Sequence, residues 1–189
     1  MRSAVLVPVK SFRHAKVRLA PALGADERAS LARRMADGVV TAARPLPVFI
    51  VCDDDEVAAW ATAANAEVIW RPGRGLNGAV ADGVTALGAM GFDRVVVAHA
   101  DLPLAVDLTW PARHAGVTLV PDRRDDGTNV ACVPTGAGFQ FSYGPGSFRR
   151  HGAEARRLGL SLRVVREPRL GWDVDLPSDL DHPAVSALR

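Results

Sequence analysis

The chain is nearly without lysine: of the 23 basic side chains in its 189 residues, 21 are arginine and only Lys10 and Lys16 are lysine, both in one short segment. Cysteine is equally sparse, with Cys52 and Cys132 alone. Each lies inside an apolar run, Val48-Phe-Ile-Val-Cys52 and Asn129-Val-Ala-Cys132. They read as small buried hydrophobes of a reducing compartment, which excludes a disulfide framework or a CxxC metal site. The five histidines are scattered singly, without HExxH or Cys/His spacing, so any metal is held by oxygen. Neither charge dominates: 23 basic against 21 acidic residues leave +2, which argues against nucleic acid as a partner. Long apolar runs are missing too. Nothing approaches the roughly 18 residues of a membrane span, and Lys10 follows the apolar opening too soon for a signal peptide. These absences together describe a cytoplasmic chain with no membrane partner.

What is present is enough apolar residue, 48%, for one core, and the length predicts a single domain over 1–189. Apolar, β-branched runs at 4–9, 48–52, 67–70, 94–98 and 117–120 predict buried strands. Helical spacing of Leu31, Met35, Val39 and Ala42 predicts a helix over 25–43, with others over 55–64 and 76–90. Strand alternating with helix is the pattern of an α/β protein with a mostly parallel sheet. After residue 128 the alternation stops. A strand at 129–133, a helix at 148–158 and a strand at 162–165 predict an appended mixed or antiparallel part.

Ligands of open α/β sheets bind beyond the carboxyl ends of the strands. The loops there are acidic, or basic and Gly-rich, a mixture suited to a phosphorylated ligand shared between cationic side chains and Mg²⁺-binding carboxylates. Lys10 and Lys16 lie in the first such loop and suit phosphate oxygens, with a solvated loop as the plainer alternative. The GxxxxGK[ST] pattern is missing, which excludes a P-loop NTPase. Gly73-Arg-Gly75-Leu-Asn-Gly78 is a literal GxGxxG, but it follows the third strand, and Asp93 is misplaced to hold a ribose, so the dinucleotide reading is set aside. Gly75 and Asn77 can approach a base or ribose, or simply start a helix. Asp101, at the end of a buried strand, is placed to hold a metal, or to cap a turn. Asp173 and Asp175 are expected to alternate across an extended segment, so that one of them joins Asp101. Thr128, Gly144 and Ser147 offer amides and hydroxyls to an anion, although turns and caps use the same residues. His151 is read as a packing histidine, and Trp172 as a possible border of a ligand site.

In order, these loops resemble a known family. Val7-Pro-Val-Lys10 with Lys16 and Arg18-Leu19, Gly75-Leu-Asn77, Ala100-Asp-Leu-Pro-Leu104, Pro121-Asp-Arg with Gly127-Thr-Asn129, Gly144-Pro-Gly-Ser-Phe148 with His151, and Asp173-Val-Asp175 are similar to the guanylyltransferases of coenzyme F-420 biosynthesis. The likeness spans nearly the whole chain. It implies a nucleotidyltransferase fold, glycosyltransferase-A-like and Rossmann-like, as a three-layer sandwich. It also implies a reaction in which GTP and phosphoenolpyruvate or 2-phospho-L-lactate give a guanosine diphosphate-linked product and pyrophosphate, for use by a downstream enzyme. Carried over by motif, Asp101 and Asp175 would hold Mg²⁺ with Asp173 helping, and Lys10, Lys16 and Arg18 would neutralise the triphosphate. Gly75 and Asn77 would lie near the guanine, and Thr128, Gly144 and Ser147 would grip the acceptor. The chain departs from the pattern at Ser11-Phe-Arg13 and in a short stretch over 106–115, where a fuller helix is expected. Two other readings fit the residues: a nucleotidyltransferase acting on a sugar phosphate or another cofactor precursor, and a nucleotide-binding regulator without turnover.

Overall fold

The computed structural model describes residues 1–188. Its strands are β1 (Ser3–Pro8), β2 (Val48–Cys52), β3 (Glu67–Trp70), β4 (Arg94–Ala98), β5 (Val117–Pro121), β6 (Thr128–Pro134) and β7 (Leu162–Val164). Its helices are α1 (Ala25–Ala43), α2 (Asp55–Ala63), α3 (Gly75–Ala89), α4 (Ser147–Arg157) and the short α5 (Pro183–Ser186). All seven strands form one sheet in the order β3-β2-β1-β4-β6-β5-β7. Only β6 runs against its neighbours, antiparallel to both β4 and β5. The sheet is therefore mostly parallel, and the antiparallel element enters where the strand–helix alternation of the sequence stops.

Side chains of a strand alternate between the two faces, and each face has its own helical layer. Val5, Val7, Ile50 and Val96 meet Ala36, Val39 and Val40 of α1 and Trp60 of α2 on one side. Leu6, Val95 and Val97 meet Val80, Val84 and Leu87 of α3 and Ala155 of α4 on the other. Burying each aliphatic side chain in this way contributes about 1.5–3 kcal/mol. The α3 helix can lie close on β1 because residue 83 is glycine: a Cβ there would stand 2.7 Å from Leu6 Cδ2. Cys52 and Cys132 are free and buried within these layers, as expected.

A smaller third cluster positions the end of the chain. Val174, Leu180 and Val185 pack on Leu19, Leu23, Leu31 and Met35, which draws the 173–175 segment across α1 toward the first loop. The connection from β4 to β5 holds a single 3-10 turn, Trp110–Arg113, in place of a fuller helix. It is secured by Arg94, 1% exposed, whose guanidinium donates to the Ala115 and Gly116 carbonyls and to Cys132 Sγ. Among the described residues no helix is long and apolar enough to cross a membrane.

Candidate active site

A cleft of about 550 Å³ opens along the carboxyl ends of β1, β2, β3 and β4. Lys10 and Lys16 line it from the first loop, Gly73, Gly75 and Leu76 from the turn into α3, and His99 and Asp101 from the end of β4. Lys10 is exposed and has no hydrogen-bond or ion-pair partner among the described residues. Lys16 is its opposite. Its side chain is 11% exposed, and its ammonium bonds Asp101 Oδ2 and lies 3.1 Å from Asp175 Oδ1. Its backbone is left-handed, with φ 54°, a conformation that costs a residue with a Cβ on the order of 1 kcal/mol and is kept where surroundings impose it. Burial pulls the Lys16 ammonium down, but Asp101 and Asp175 outweigh it and hold the group above the ordinary lysine range. The reciprocal effect acts on Asp101: burial raises it, and Lys16 and His99 bring it below the usual carboxylate range. Arg18, largely exposed, approaches Asp175 at 3.5 Å.

Both Asp173 and Asp175 turn toward Asp101, which corrects the expectation that one of them would. Residues two apart share a face of an extended chain; Val174 between them points into the core with no exposure. Its amide donates to the Asp101 carbonyl at 3.3 Å, laying the segment alongside β4's end. Asp173 is pushed up to about 6 by burial and by the charges of Asp101 and Asp175. Neither carboxylate is used as a helix cap, because Asp179 takes that role and accepts from the Asp175 and Leu176 amides at 2.8 Å each. Asp179 is 1% exposed. Its burial penalty is outweighed by those amides and by Arg123, so it stays below the usual carboxylate range. Arg123, in the β5–β6 hairpin, received no role from the sequence. It bonds Asp179, donates to the Asp173 carbonyl at 3.1 Å and covers the Trp172 ring at 4.2 Å. Trp172 thus borders the carboxylates through Arg123, with its indole N–H buried and unpartnered.

On the opposite wall Gly75 has φ +61° with open space beside it, as a close approach by a ligand requires. Asn77 does not line the cleft; its side-chain carbonyl accepts from the Tyr143 amide at 2.6 Å and ties the 139–144 segment to α3. Tyr143 packs against His99, with ring centroids 4.9 Å apart, and against His151 at the same distance. Thr128 and Ser147 are 2% and 1% exposed. The Thr128 hydroxyl meets His151 Nδ1 at 3.0 Å. Around Gly144 the donors are also engaged: the Gly146 amide bonds Asp126 Oδ1 at 3.0 Å and the Ser147 amide bonds the Gly144 carbonyl at 3.0 Å. Thr128, Gly144 and Ser147 are therefore brought together, with the Thr128 hydroxyl oxygen bonded to His151 and the Gly146 and Ser147 amides engaged within the fold. His151 packs as expected: Nε2 accepts from the Ser142 amide at 2.9 Å, and burial, with Arg150 and His99, lowers it to about 4.

The site thus sets cations against carboxylates, and of its two lining histidines His14 is exposed while His99 is held below the ordinary histidine range chiefly by burial. Asp101 Oδ1 and Asp173 Oδ1 are both buried without a hydrogen-bond partner. Asp173 Oδ1 has the Arg123 guanidinium 3.8 Å away, and Asp101 Oδ1 has no partner; such hard oxygens fit a divalent cation. Among the described residues no three acidic, histidine or cysteine side chains are grouped so as to enclose an ion alone. Mg²⁺ is commonly held by one or two carboxylates plus substrate phosphates, and the donors present suit that mode.

Comparison with known proteins identifies the family. Residues 3–184 match the family described as "Guanylyl transferase CofC like". The chain is 37% identical over 195 residues to the phosphoenolpyruvate guanylyltransferase of Sphaerobacter thermophilus, covering 97% of this chain and 93% of that protein. It is 33% identical to the 2-phospho-L-lactate guanylyltransferase of Methanothermobacter thermautotrophicus, covering 95% and 83%. A structure from Desulfovibrio desulfuricans G20, described as a nucleotide-diphospho-sugar transferase, superposes with TM-score 0.75 at 19% identity over 100% and 95% of the two chains. A nucleotidyl transferase from Methanothermobacter shares the fold at TM-score 0.63 and 16% identity, over 95% of this chain and 94% of that one. With a nucleotidyltransferase fold and a family match over nearly its full length, the chain belongs to the CofC-like guanylyl transferases.

Proposed function

We propose that the protein transfers GMP from GTP to a phosphorylated three-carbon acid, phosphoenolpyruvate or 2-phospho-L-lactate, with release of pyrophosphate. It does so as a cytoplasmic, Mg²⁺-dependent enzyme of coenzyme F-420 biosynthesis that passes its product to a downstream enzyme. The observation that carries this reading is the Lys16–Asp101–Asp175 constellation at one end of a cleft whose other wall is the Gly73–Leu76 turn. The two acceptors are those named for the relatives from Sphaerobacter and Methanothermobacter.

An oxygen of the acceptor phosphate attacks the α-phosphorus of GTP, and the bond from that phosphorus to the oxygen bridging the β-phosphate breaks. The acceptor is already an anion at neutral pH, so no general base is required; the protein must align two anions and stabilise the leaving pyrophosphate. Lys10, Lys16 and Arg18 supply cationic charge to the triphosphate. Asp101 and Asp175, with Asp173, would hold Mg²⁺, which when bound screens the phosphates from one another. Gly75, at the start of α3, gives the guanine a close backbone, while Asn77 holds that wall in place by its bond to Tyr143. Thr128, Gly144 and Ser147 shape the acceptor side around Tyr143 and His151.

The test is pyrophosphate release from GTP, ATP, CTP and UTP with each of the two acids, coupled to the downstream enzyme. Turnover is expected with GTP and one or both acids. Equal turnover with ATP would remove the guanine assignment, and turnover only with a sugar phosphate would replace the acceptor.

A further inference from the structure

Lys16 stands where a cation between Asp101 and Asp175 would stand. Its ammonium bonds one oxygen of each, and its side chain is buried. The remaining oxygen of Asp101 is buried without a partner, and Asp173 Oδ1 is buried without a hydrogen bond, 3.8 Å from the Arg123 guanidinium. Asp101 and Asp175 thus share one ammonium, with Arg18 3.5 Å from Asp175, while Lys10 lines the same cleft and pairs with no acidic group among the described residues. The left-handed backbone at Lys16, at the start of the Val17–Leu19 turn, holds the side chain inward.

We propose that Lys16 is the resident counter-ion of the ligand-free site, displaced onto phosphate when a divalent cation enters together with a nucleoside triphosphate. The inference rests on the nucleotidyl-transfer reading above and adds an order of events to it. One pair of carboxylates cannot serve an ammonium and a divalent ion in the same place, since the two cations repel strongly at such distances. A divalent ion arriving alone must eject Lys16 and leave its ammonium buried without an anion, which is costly. A triphosphate removes that cost by offering oxygens to the displaced ammonium. Cation and nucleotide therefore bind cooperatively, each raising the affinity for the other by the same factor.

The chain's two lysines make this directly observable. Protein labelled with ¹⁵N-lysine carries only the Lys10 and Lys16 ammonium signals, and a Lys10→Met variant leaves Lys16 alone, so the test survives even if changes at Lys16 prevent folding. The Lys16 signal is expected to be protected from exchange in the ligand-free protein and to shift on addition of MgCl₂ with α,β-methylene-GTP, but not with MgCl₂ alone. Mn²⁺ binding followed by electron paramagnetic resonance supplies a second readout. Without nucleotide, Lys16→Met is expected to bind Mn²⁺ about 10-fold or more tightly than the wild type, and Lys10→Met is expected to differ far less. Equal Mn²⁺ affinity in the wild type and Lys16→Met, or a Lys16 signal unmoved by Mg²⁺ with the analogue, overturns the proposal. Wild-type transfer without these changes would sink this inference alone. Tightened Mn²⁺ binding in a protein that transfers no nucleotide would sink the function and leave the inference standing.

Discussion

The guanidinium of Arg123 sits over the indole of Trp172, 4.2 Å from its centroid, while it also bonds Asp179 and the Asp173 carbonyl. One side chain thus fixes both the ring and the acidic segment that faces Asp101. Removing it in Arg123→Ala leaves Asp179 with only Arg124, 3.6 Å away, as counter-charge. The expected result is a loss of about 3 kcal/mol in stability, the scale for breaking a buried pair, with a fall in kcat/KM. Arg123→Lys should be intermediate, because an ammonium can neither stack nor fork in the same way. Thermal melts and steady-state kinetics check this, and a wild-type melt for the alanine variant would show that the clamp holds nothing.

Asp101→Asn separates chemistry from architecture. The amide keeps the size of the carboxyl, and Asp175 remains beside Lys16 at 3.1 Å to neutralise it, so the melting temperature should change little. Transfer should fall on the order of 10² to 10³, the usual cost of losing one electrostatic contact to a developing charge. A near-normal rate with a lower melt would make Asp101 structural.

Lys10 offers the complementary case. It is exposed and unpaired among the described residues, so Lys10→Ala should leave stability within about 0.5 kcal/mol of wild type. Triphosphate binding should weaken in the same variant, and arginine should restore it only in part. Unchanged KM for GTP would return Lys10 to the solvated loop.

His151 gives the fold a pH dependence with a definite sign. Its folded-state value of about 4 lies below the ordinary 6.5, chiefly through burial. The unfolded chain therefore takes up a proton first as pH falls, so the stabilisation present above pH 6.5 is lost through the interval down to the folded value. The loss at pH 5 should be about 2 kcal/mol. Urea melts at pH 7 and pH 5 on the wild type and His151→Gln measure it; an unchanged slope in the variant would assign the effect to another group.

The helix at Ala25–Ala43 and the strands at Val48–Cys52, Glu67–Trp70 and Arg94–Ala98 were legible from the sequence because their burial is set by local apolar spacing. Asp101 was legible for a related reason: a buried strand delivers whatever follows it to the sheet's edge. The Asp173–Asp175 pair was misjudged because the two-residue period puts both on one face. The loop donors around Thr128, Gly144 and Ser147 could be located but their occupation could not, since their partners Asp126 and His151 come from other stretches of the chain. Arg123 was hidden among 21 arginines; its signal, an arginine in the turn after a strand facing Trp172-Asp173, exists only once the C-terminal segment is folded back. The reversed direction of β6 is likewise a property of the assembled sheet.

That reversed strand has a consequence for how the protein can change. Because β6 runs back from the cleft edge, β5 and β6 are joined there by a hairpin loop of residues 122–127, with Pro121 paired to Thr128. The hairpin is tied down along its length: Arg123 holds Asp179 and the Asp173 carbonyl, and Asp126 accepts from the Gly146 amide. Adding or deleting residues in this loop costs more than loop-closure entropy, which by itself grows slowly with length, because Arg123 and Asp126 are moved off their partners. The turn into α3 lies on another connection, but Lys16 is coupled to the hairpin through Asp175 and the segment that Arg123 holds. A change of length in this one hairpin is therefore expected to reach, through Arg123, the acidic segment that pairs with Lys16.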